Sequence, residues 1–342
     1  MRPFSVSLHP PDRPPEGPVF ARFTFGSDAG AGERDLRVPL RCLDAEAGVE
    51  VWQYPGPSWT ERDGDLRLIG CDDYLLVATE FRPIDDMQLA ARAVYAEVLS
   101  ALRERGYEHI IKAWNYFPEI NRGGGDSERY KQFCLGRADA FEAQMAEIDS
   151  IPAATAIGTR ADEPFTLILL AARHPVQAIE NPRQVSAYCY PREYGPSSPL
   201  FSRAALLTNN RSGCLFISGT AAIVGHQSRH PEDAAAQTEE TLANLEALLD
   251  ATARTSRLER APRLRDSACL RVYVRDPALA SPIRAIIEPL LATPTHLVVL
   301  EGAVCRQELR VEVDGVLTFA INPSAGQSPG SATWSGERPS PA

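Results

Sequence analysis

"PEDAAAQTEETLANLEALLDATA", residues 231–253, decides the fold because it is typical of one long helix between two apolar runs. Pro231 suits the first turn of a helix, and the two acidic residues after it suit the positive end of the helix dipole. The run before it, CLFISGTAAIVG (214–225), predicts a strand with a glycine interruption, and the run after it, CLRVYVRDP (269–277), predicts a second strand. This segment therefore predicts a strand–helix–strand unit.

The same unit occurs in the first half of the chain. MQLAARAVYAEVLSALRERGY (87–107) has apolar residues at helical spacing and a glycine near its end. It lies between two predicted strands, YLLVATEF (74–81) and HIIKAWNYFPEI (109–120). Because a whole supersecondary unit repeats, we expect an α+β fold of two related halves, each a mixed sheet with helices packed on one face.

The division between the halves is expected near a connector at residues 145–160. This gives an N-terminal α+β domain over residues 1–150 and a C-terminal domain over residues 151–322. The first ~20 residues are rich in proline and are expected to be irregular. The last residues, 323–342, are rich in Ser, Pro and Gly, and a disordered tail is expected there.

The end of the C-terminal domain raises a geometric question. After a helix at 281–292, THLVVLEGAVC (295–305) and LRVEVDGVLTF (309–319) are predicted to form a terminal hairpin. If its loop has two residues, Cys305 and Glu312 share a face as diagonal neighbours, roughly 7–8 Å apart. A loop of three residues would place them on opposite faces, and the sequence leaves both arrangements open.

The composition bounds the class of protein. The chain has 342 residues, of which 44% are apolar and 23% charged, as in ordinary soluble proteins. The net charge of −10 disfavours nucleic acid and membrane surfaces as partners. No apolar run is long enough for a membrane helix, and no secretory signal is evident. The seven cysteines are widely spaced and form no CxxC, which indicates a reducing cytoplasm rather than disulfides or zinc.

Short motifs exclude several chemistries. NRGGGD (121–126) lacks the GK[ST] that follows in a P-loop, so a flexible loop is expected, with a lid over a site as one interpretation. His226 and His230 have helical spacing, but Pro231 follows them and no third ligand is apparent. No dinucleotide fingerprint and no GxSxG elbow is found. We therefore expect no metal and no cofactor.

Longer stretches carry a resemblance to a known family. The chain resembles the chorismatases in WNYFPEINRGGGDSERYKQFCLGRADAF (114–141), PRQVSAYCYPREYGPSSPLFSRA (182–204), SGTAAIVGH (218–226) and EGAVCRQELRVEVDG (301–315). Its second half also resembles the RidA (YjgF) fold, whose trimers hold ligands in clefts between subunits. This resemblance implies two RidA-like halves arranged around an internal cleft.

The chorismatase resemblance implies a reaction and a set of residues. Chorismatases split chorismate, a dicarboxylate enol ether, into pyruvate and a cyclic acid. An enol ether is activated by protonation of its methylene carbon, which needs a well-placed acid, and the family's glutamate in the final strand matches Glu312. Arg137 and Arg203 match the positions that hold the two carboxylates. Tyr130 and Tyr190 match the family's tyrosines.

The tyrosine alignment leaves alternatives open. Tyr188 and Tyr194 compete with Tyr190, because the motif YCYPREY places three tyrosines within a few residues. Without the family, a packed core tyrosine is the expected role for each. An exposed glutamate on a strand is equally the ordinary interpretation of Glu312, and a surface arginine that of Arg137 and Arg203.

Two further positions imply the product. In the family, Cys305 and Gly219 line the pocket, and their identities accompany formation of 3-hydroxybenzoate rather than hydrolysis. Cys305 is not expected to act covalently, since adjacent strand residues point to opposite faces and Arg306 would face away from it. Gly219 also suits a strand bulge or a close backbone approach. The resemblance favours 3-hydroxybenzoate; a mixture with 4-hydroxybenzoate or a dihydroxycyclohexadienoate remains the open alternative.

A second function keeps the fold and changes the class. A RidA-like protein would deaminate imines or bind small carboxylic acids. Imine deaminases carry an arginine at the start of the hairpin's first strand, where this chain has TPTHLVV (293–299). The favoured interpretation is therefore a cytoplasmic chorismatase with chorismate as its partner, acting as a monomer or a small homo-oligomer.

Overall fold

The computed structural model describes most of the chain. The described residues are 4–9, 16–26, 32–44, 48–82, 85–144, 151–209, 212–256, 258, 260–292 and 297–321. The predicted tail at 323–342 lies outside them, as do residues 145–150 of the predicted connector and 295–296 of the predicted first hairpin strand. Among the described residues, no helix combines the length and apolar character that crossing a bilayer requires.

The chain begins with a small sheet. Its strands are β1 (Ser5–His9), β2 (Val19–Phe25), β3 (Asp35–Val38) and β4 (Val49–Gln53), in the order β1-β4-β2-β3. Phe20, Phe23 and Trp52 point from this sheet into the central core. The expectation of an irregular start is therefore wrong over Ser5–His9, because this segment pairs with β4 and buries Val6.

The first half forms a six-stranded mixed sheet. Along the chain it contains β5 (Ser58–Asp63), β6 (Leu66–Cys71), β7 (Tyr74–Phe81), α1 (Met87–Glu104), β8 (His109–Pro118), α2 (Arg129–Gln144), β9 (Ala153–Thr159) and β10 (Phe165–Ala172). The strand order is β5-β6-β7-β10-β8-β9. β8 and β9 are parallel and are joined through α2, as parallel neighbours require a crossover.

The second half repeats this topology. It contains β11 (Gln177–Ile179), β12 (Ala204–Thr208), β13 (Ser212–Ala221), the two-residue strands β14 (Ile223–Val224) and β15 (Gln227–Ser228), α3 (Ala234–Thr255), β16 (Ser267–Val274), α4 (Ala280–Ile287), β17 (Leu297–Glu301) and β18 (Val311–Ala320). The sheet order is β11-β12-β13-β18-β16-β17, again with one parallel pair, β16 and β17. The predicted α+β fold of two related halves is confirmed.

The layers follow from which faces are apolar. α1 places Ala91, Val94, Val98 and Leu102 on its sheet, and α3 places Leu245, Leu248 and Leu249 on the other sheet. The opposite faces of the two sheets pack together with the N-terminal sheet in one shared core. This core includes Trp52, Trp114 and Phe216. Helices therefore cover the outer faces, and the inner faces pack together.

The predicted terminal hairpin is wrong. β18 lies between β13 and β16, so β16 separates it from β17. β17 instead pairs in parallel with β16 through the α4 crossover. Cys305 lies in the connecting segment 302–310, outside both strands, and neither loop length considered from the sequence applies.

Two other boundaries differ from expectation. α3 begins at Ala234, because the Asp233 carboxyl caps it by accepting from the Ala236 N–H at 2.9 Å, so Pro231 precedes the helix. Residues Ala153–Thr159, expected in a connector, form β9 and pair with β8. The strands of the first sheet therefore continue past residue 150, as far as Ala172. The division into domains at residue 150 stays a prediction.

Buried ionic groups join the three sheets. Arg271 on β16 donates to both oxygens of Glu50 on β4, at 2.8 Å each, and both side chains are almost wholly buried. Trp52 Nε1 also donates to Glu50, at 2.6 Å. The Tyr116 hydroxyl accepts from Arg271 at 3.2 Å and lies 3.4 Å from the Tyr273 hydroxyl. The N-terminal sheet is therefore fixed to the second half by a charge pair.

We expect Glu50→Ala to lower the free energy of unfolding by about 3–5 kcal/mol, because it leaves the Arg271 guanidinium buried without its anion. Chemical denaturation followed by circular dichroism measures this loss. Asp162→Ala is the matched control, since the Arg160–Asp162 pair is largely exposed and should contribute at most about 1 kcal/mol. Equal losses in the two variants would contradict the assigned role.

Candidate active site

Glu312 lies in the middle of the central strand β18. It pairs with Ala221 on β13 and with Tyr273 on β16, and its side chain is 4% exposed. Val311 and Val313 point to the helix-covered core, so Glu312 and Asp314 point to the opposite face, between the sheets. The even-numbered face of this strand is therefore buried, and it does not face bulk water as an ordinary polar strand face would.

The environment of Glu312 favours its protonated form. Burial raises the pKa of Glu312 to about 8, and the charge of Asp314 adds to this, while Lys112 and Arg203 act in the opposite direction. Among the described residues, none donates a hydrogen bond to the Glu312 carboxyl or pairs with it within 4 Å. Glu312 can therefore hold a proton at neutral pH, as a general acid must.

Gly219 makes room for this carboxyl. β13 carries a bulge between Ile217 and Thr220, and Gly219 lies in it opposite β18. A Cβ atom on Gly219 would lie 1.8 Å from Glu312 Oε1, so any larger residue requires Glu312 to move. The sequence allows two interpretations of Gly219, a strand bulge and a position that lines the pocket. In the structure Gly219 lies in a bulge and also beside the Glu312 carboxyl.

Cys305 lies beside the same acid, although it comes from a loop. Burial raises the pKa of Cys305 to about 12, and Glu312 contributes next. Arg275 holds this loop by donating to the carbonyls of Val304 at 2.8 Å and Arg306 at 3.0 Å, while Asn121 donates to the Cys305 carbonyl at 3.0 Å. The thiol is thus a fixed, neutral wall of the site.

Helix α2 contributes residues from the first half. Tyr130, Cys134 and Arg137 follow each other at helical spacing on one face. Burial raises the pKa of Tyr130, and Cys134, Cys305 and Glu312 add to the shift, which places the phenol beside these groups. α2 can approach α1 closely because of Gly136, where a Cβ atom would lie 2.0 Å from the Gln88 carbonyl oxygen.

Arg137 is a buried cation without an anion. It is 3% exposed, and its guanidinium carbon lies 5.2 Å from the ring centroids of both Tyr95 and Phe141. Its Nε and Nη2 atoms have no hydrogen-bond partner among the described residues. An unpaired buried guanidinium is costly unless an anionic ligand binds it, which suits a carboxylate of a substrate.

Arg203 lies just before β12 and is held by two hydrogen bonds. Its Nη2 donates to the Val185 carbonyl at 2.7 Å and to the Tyr190 hydroxyl at 2.9 Å, and its Nε has no partner among the described residues. Tyr188 is 38% exposed, and Tyr194 contacts Arg306 and His226 instead. Of the three candidate tyrosines, Tyr190 is therefore the one bonded to Arg203.

Several residues of the site were missed from the sequence. Lys112 and Asp314 are fully buried next to Glu312, and Arg306 lies over the Tyr194 ring at 4.1 Å. A lysine inside the apolar run HIIKAWNYF was the available signal for Lys112. Asp314 lies on the same strand face as Glu312, and burial of one implied burial of the other.

Other predicted features have partners of their own. His226 bonds Tyr194, and His230 lies 3.2 Å from Glu240, so the two histidines have different partners. In the loop 121–126, Asp126 pairs with Arg192 at 2.6 Å, which ties this loop to the segment bearing Tyr190. Its function as a lid stays a prediction.

An open groove of about 530 Å³ lies elsewhere, next to Trp59, Tyr107 and Arg173. Its arginines already have partners: Arg105 pairs with Glu61 and Asp63, and Arg173 donates to backbone carbonyls. This groove therefore lacks the free cations that the site around Glu312 offers to an anion.

Comparison with known proteins gives one consistent answer. A family model described as "Chorismatase FkbO/Hyg5-like, N-terminal" matches residues 50–171. A 3-hydroxybenzoate synthase of Streptomyces hygroscopicus is 34% identical over 294 residues, covering 84% of this chain and 86% of that protein. A chorismatase of the same organism is 34% identical over 277 residues, covering 80% of each. The chain belongs to the chorismatase family.

The overall structure agrees with this membership. A crystal structure of a chorismatase covers 92% of this chain and 98% of its own, with a TM-score of 0.83 and 29% identity. A YjgF-family protein of Neisseria meningitidis shares 21% identity in a match that covers 38% of this chain, with a TM-score of 0.27, and this likeness adds nothing to the assignment. The predicted membership of the chorismatase family is confirmed. In this family member Glu312 is buried on the face between the two repeated sheets, whereas Arg137 lies on α2 against Tyr95 of α1.

We expect Cys305 to resist alkylation in the native chorismatase fold, because its raised pKa leaves almost no thiolate at pH 8. The exposed Cys189 should instead react first with iodoacetamide. Mass spectrometry of digested protein after short exposure measures both sites, and Cys189→Ser is the control that should remove the early adduct. Rapid labelling of Cys305 would show a reactive thiolate and contradict the neutral wall.

Proposed function

We propose that this protein cleaves chorismate to pyruvate and a hydroxybenzoate, with 3-hydroxybenzoate as the favoured product. The observation that carries the proposal is a buried carboxyl, Glu312, whose surroundings raise its pKa to about 8, together with two arginines that have unpaired guanidinium nitrogens among the described residues, Arg137 and Arg203. This combination suits a dicarboxylate whose reaction begins with proton transfer. Family membership supports the substrate.

Glu312 is assigned the role of general acid. Its O–H proton moves to the terminal methylene carbon of the enolpyruvyl group, the electron pair of the double bond forms the new C–H bond, and an oxocarbenium ion results. Glu312 becomes a carboxylate beside this cation and stabilises it. Arg137 and Arg203 hold the substrate carboxylates, and Tyr190, bonded to Arg203, and Tyr130 complete the binding surface.

The fate of the cation decides the product. If water attacks it, one water molecule is consumed and a dihydroxycyclohexadienoate leaves with pyruvate. If the ring's own hydroxyl oxygen bonds to the ring carbon that bears the ether, the bond from that carbon to the ether oxygen breaks, its electron pair leaves with pyruvate, and the Glu312 carboxylate takes up the hydroxyl proton. The arene-oxide-like ring then opens and loses a ring proton to give the aromatic acid, so no water is consumed. The close approach of Gly219 to Glu312 and the fixed wall at Cys305 favour a site that excludes water and hence the internal route.

Glu312→Gln should keep the fold and chorismate binding but lose about 10²–10⁴-fold in kcat, because glutamine cannot donate this proton. Pyruvate release from chorismate, coupled to lactate dehydrogenase, measures the loss. Glu239→Gln is the matched control, since Glu239 is exposed on α3. Turnover near the wild-type rate in Glu312→Gln would remove the assignment, and absence of pyruvate from the wild type would favour a RidA-like binder or deaminase.

Gly219→Ala should divert the reaction toward the hydrolytic product and lower kcat about tenfold or more, because the new methyl group displaces the Glu312 carboxyl by 1 Å or more. Liquid chromatography of the cyclic products separates 3-hydroxybenzoate, 4-hydroxybenzoate and the dihydroxycyclohexadienoate. Gly124→Ala is the control, since nothing lies within 4 Å of a Cβ atom there. Unchanged products and rate in Gly219→Ala would refute the role of this contact.

A further inference from the structure

Lys112 is a buried lysine that joins the two halves. It lies in β8 of the first sheet and is 1% exposed. Its ammonium donates to Thr155 Oγ1 at 2.7 Å and to the Ile217 carbonyl at 2.6 Å, and it lies 3.4 Å from Asp314 Oδ2. Ile217 is the residue at which the bulge carrying Gly219 begins. Lys112 therefore contacts β18, which carries Glu312, and β13, whose glycine at position 219 leaves room for the Glu312 carboxyl.

Asp314 is surrounded by donors. Its Oδ2 accepts from Thr155 Oγ1 at 2.6 Å and from Trp114 Nε1 at 3.1 Å, and its Oδ1 accepts from the Tyr273 hydroxyl at 3.2 Å. Together with the Lys112 ammonium, these groups suit a carboxylate anion. Asp314 and Lys112 therefore form a buried ion pair with a shared hydroxyl, Thr155, between them.

Glu312 lies next to this pair but outside it. It is two residues from Asp314 on the same face of β18, and no described cation approaches it within 4 Å. Three charged groups shift the pKa of Glu312: Asp314 on its own strand, Lys112 on β8 and Arg203 before β12. Three further titratable groups lie around it: Tyr130 on α2, Cys305 in the segment 302–310 and Tyr273 on β16.

We propose that Asp314 is a positioning residue that binds the Lys112 ammonium and so keeps Glu312 a neutral acid. The inference rests on the proposed function, in which Glu312 donates the proton. Without Asp314, the nearest buried anion available to Lys112 would be Glu312, which would then ionise and could no longer donate. Without Lys112, the charge of Asp314 would be uncompensated, and Glu312 would hold its proton more tightly.

Burial lowers the pKa of the Lys112 ammonium to about 8, so this lysine carries its charge at and below neutral pH and loses it in the same range as Glu312 loses its proton. The charges of Asp314 and protonated Lys112 should therefore shift the pH dependence of the reaction in opposite directions. The acid form of Glu312 exists below its pKa of about 8, so kcat/KM of the wild type should fall as the pH rises through that value. Asp314→Asn should move this alkaline limb down by about one unit or more, and Lys112→Met should move it up by a similar amount. A residue with a merely structural role would lower the rate at every pH without moving the limb.

The experiment measures kcat/KM for pyruvate release between pH 6 and 10 in four proteins: wild type, Asp314→Asn, Lys112→Met and the double variant. Asp314→Asn should lose about fivefold or more at pH 8, about tenfold or more at pH 10, and much less at pH 6. The double variant, which removes both charges, should return the limb to within about half a unit of wild type. Asp35→Asn is the control, since Asp35 is buried and ion-paired with Arg22 in the N-terminal sheet, and its limb should not move.

Lys112→Met alone decides the question if Asp314→Asn does not fold, as judged by circular dichroism. An infrared difference spectrum against Glu312→Gln gives a second reading, because the neutral Glu312 carboxyl has a C=O band that should persist to higher pH in Lys112→Met. Coincident limbs in all folded variants, or a shift of Lys112→Met to lower pH, would overturn the inference. If Glu312→Gln is inactive while the limbs coincide, this inference fails and the proposed function stands.

Discussion

The interface between the two sheets depends on pairing charges that have no access to water. Glu50 with Arg271, and Asp314 with Lys112, place four ionic groups in a space otherwise filled by residues such as Trp52, Trp114 and Phe216. A buried charge without a partner is costly, so these pairs constrain how the N-terminal sheet and the two halves dock. Apolar side chains alone would tolerate more than one docking arrangement, whereas each pair here has one geometry.

This pairing of buried charges also explains how Glu312 and Arg137 can lie in the site without ion-pair partners among the described residues. Lys112 and Arg271 are already paired with Asp314 and Glu50, and burial raises the pKa of Glu312, which favours its neutral form. Arg137, in contrast, keeps two nitrogens free between aromatic rings. The protein bears the cost of an unpaired acid and an unpaired cation where a dicarboxylate would satisfy them.

The sequence predicted the repeat but not the order of the strands. The helices are evident locally, because α1 and α3 carry apolar stripes or caps that require no knowledge of distant residues. The hairpin failed because β17 pairs with β16 and the partners of β18 come from more than 30 residues before it. A turn does occur at RQE, since the Leu309 N–H donates to the Arg306 carbonyl at 3.1 Å, but it lies within the connecting segment and does not join two paired strands. Lys112 was passed over because its partner, Asp314, lies in the other half of the chain, and only folding brings them together.

The question about Cys305 and Glu312 changes once the hairpin is absent. The charge of Glu312 helps to raise the pKa of the Cys305 thiol, so the two residues are neighbours, but Cys305 lies in a loop held by Arg275 and Asn121, and strand register does not set their separation. Gly219 meets the same carboxyl from a bulge in β13. Three separate segments therefore surround one acid, and each sets the volume beside it without supplying a nucleophile, since the thiol is neutral. Product choice in such a site follows from whether water fits next to the cation, which is a matter of shape.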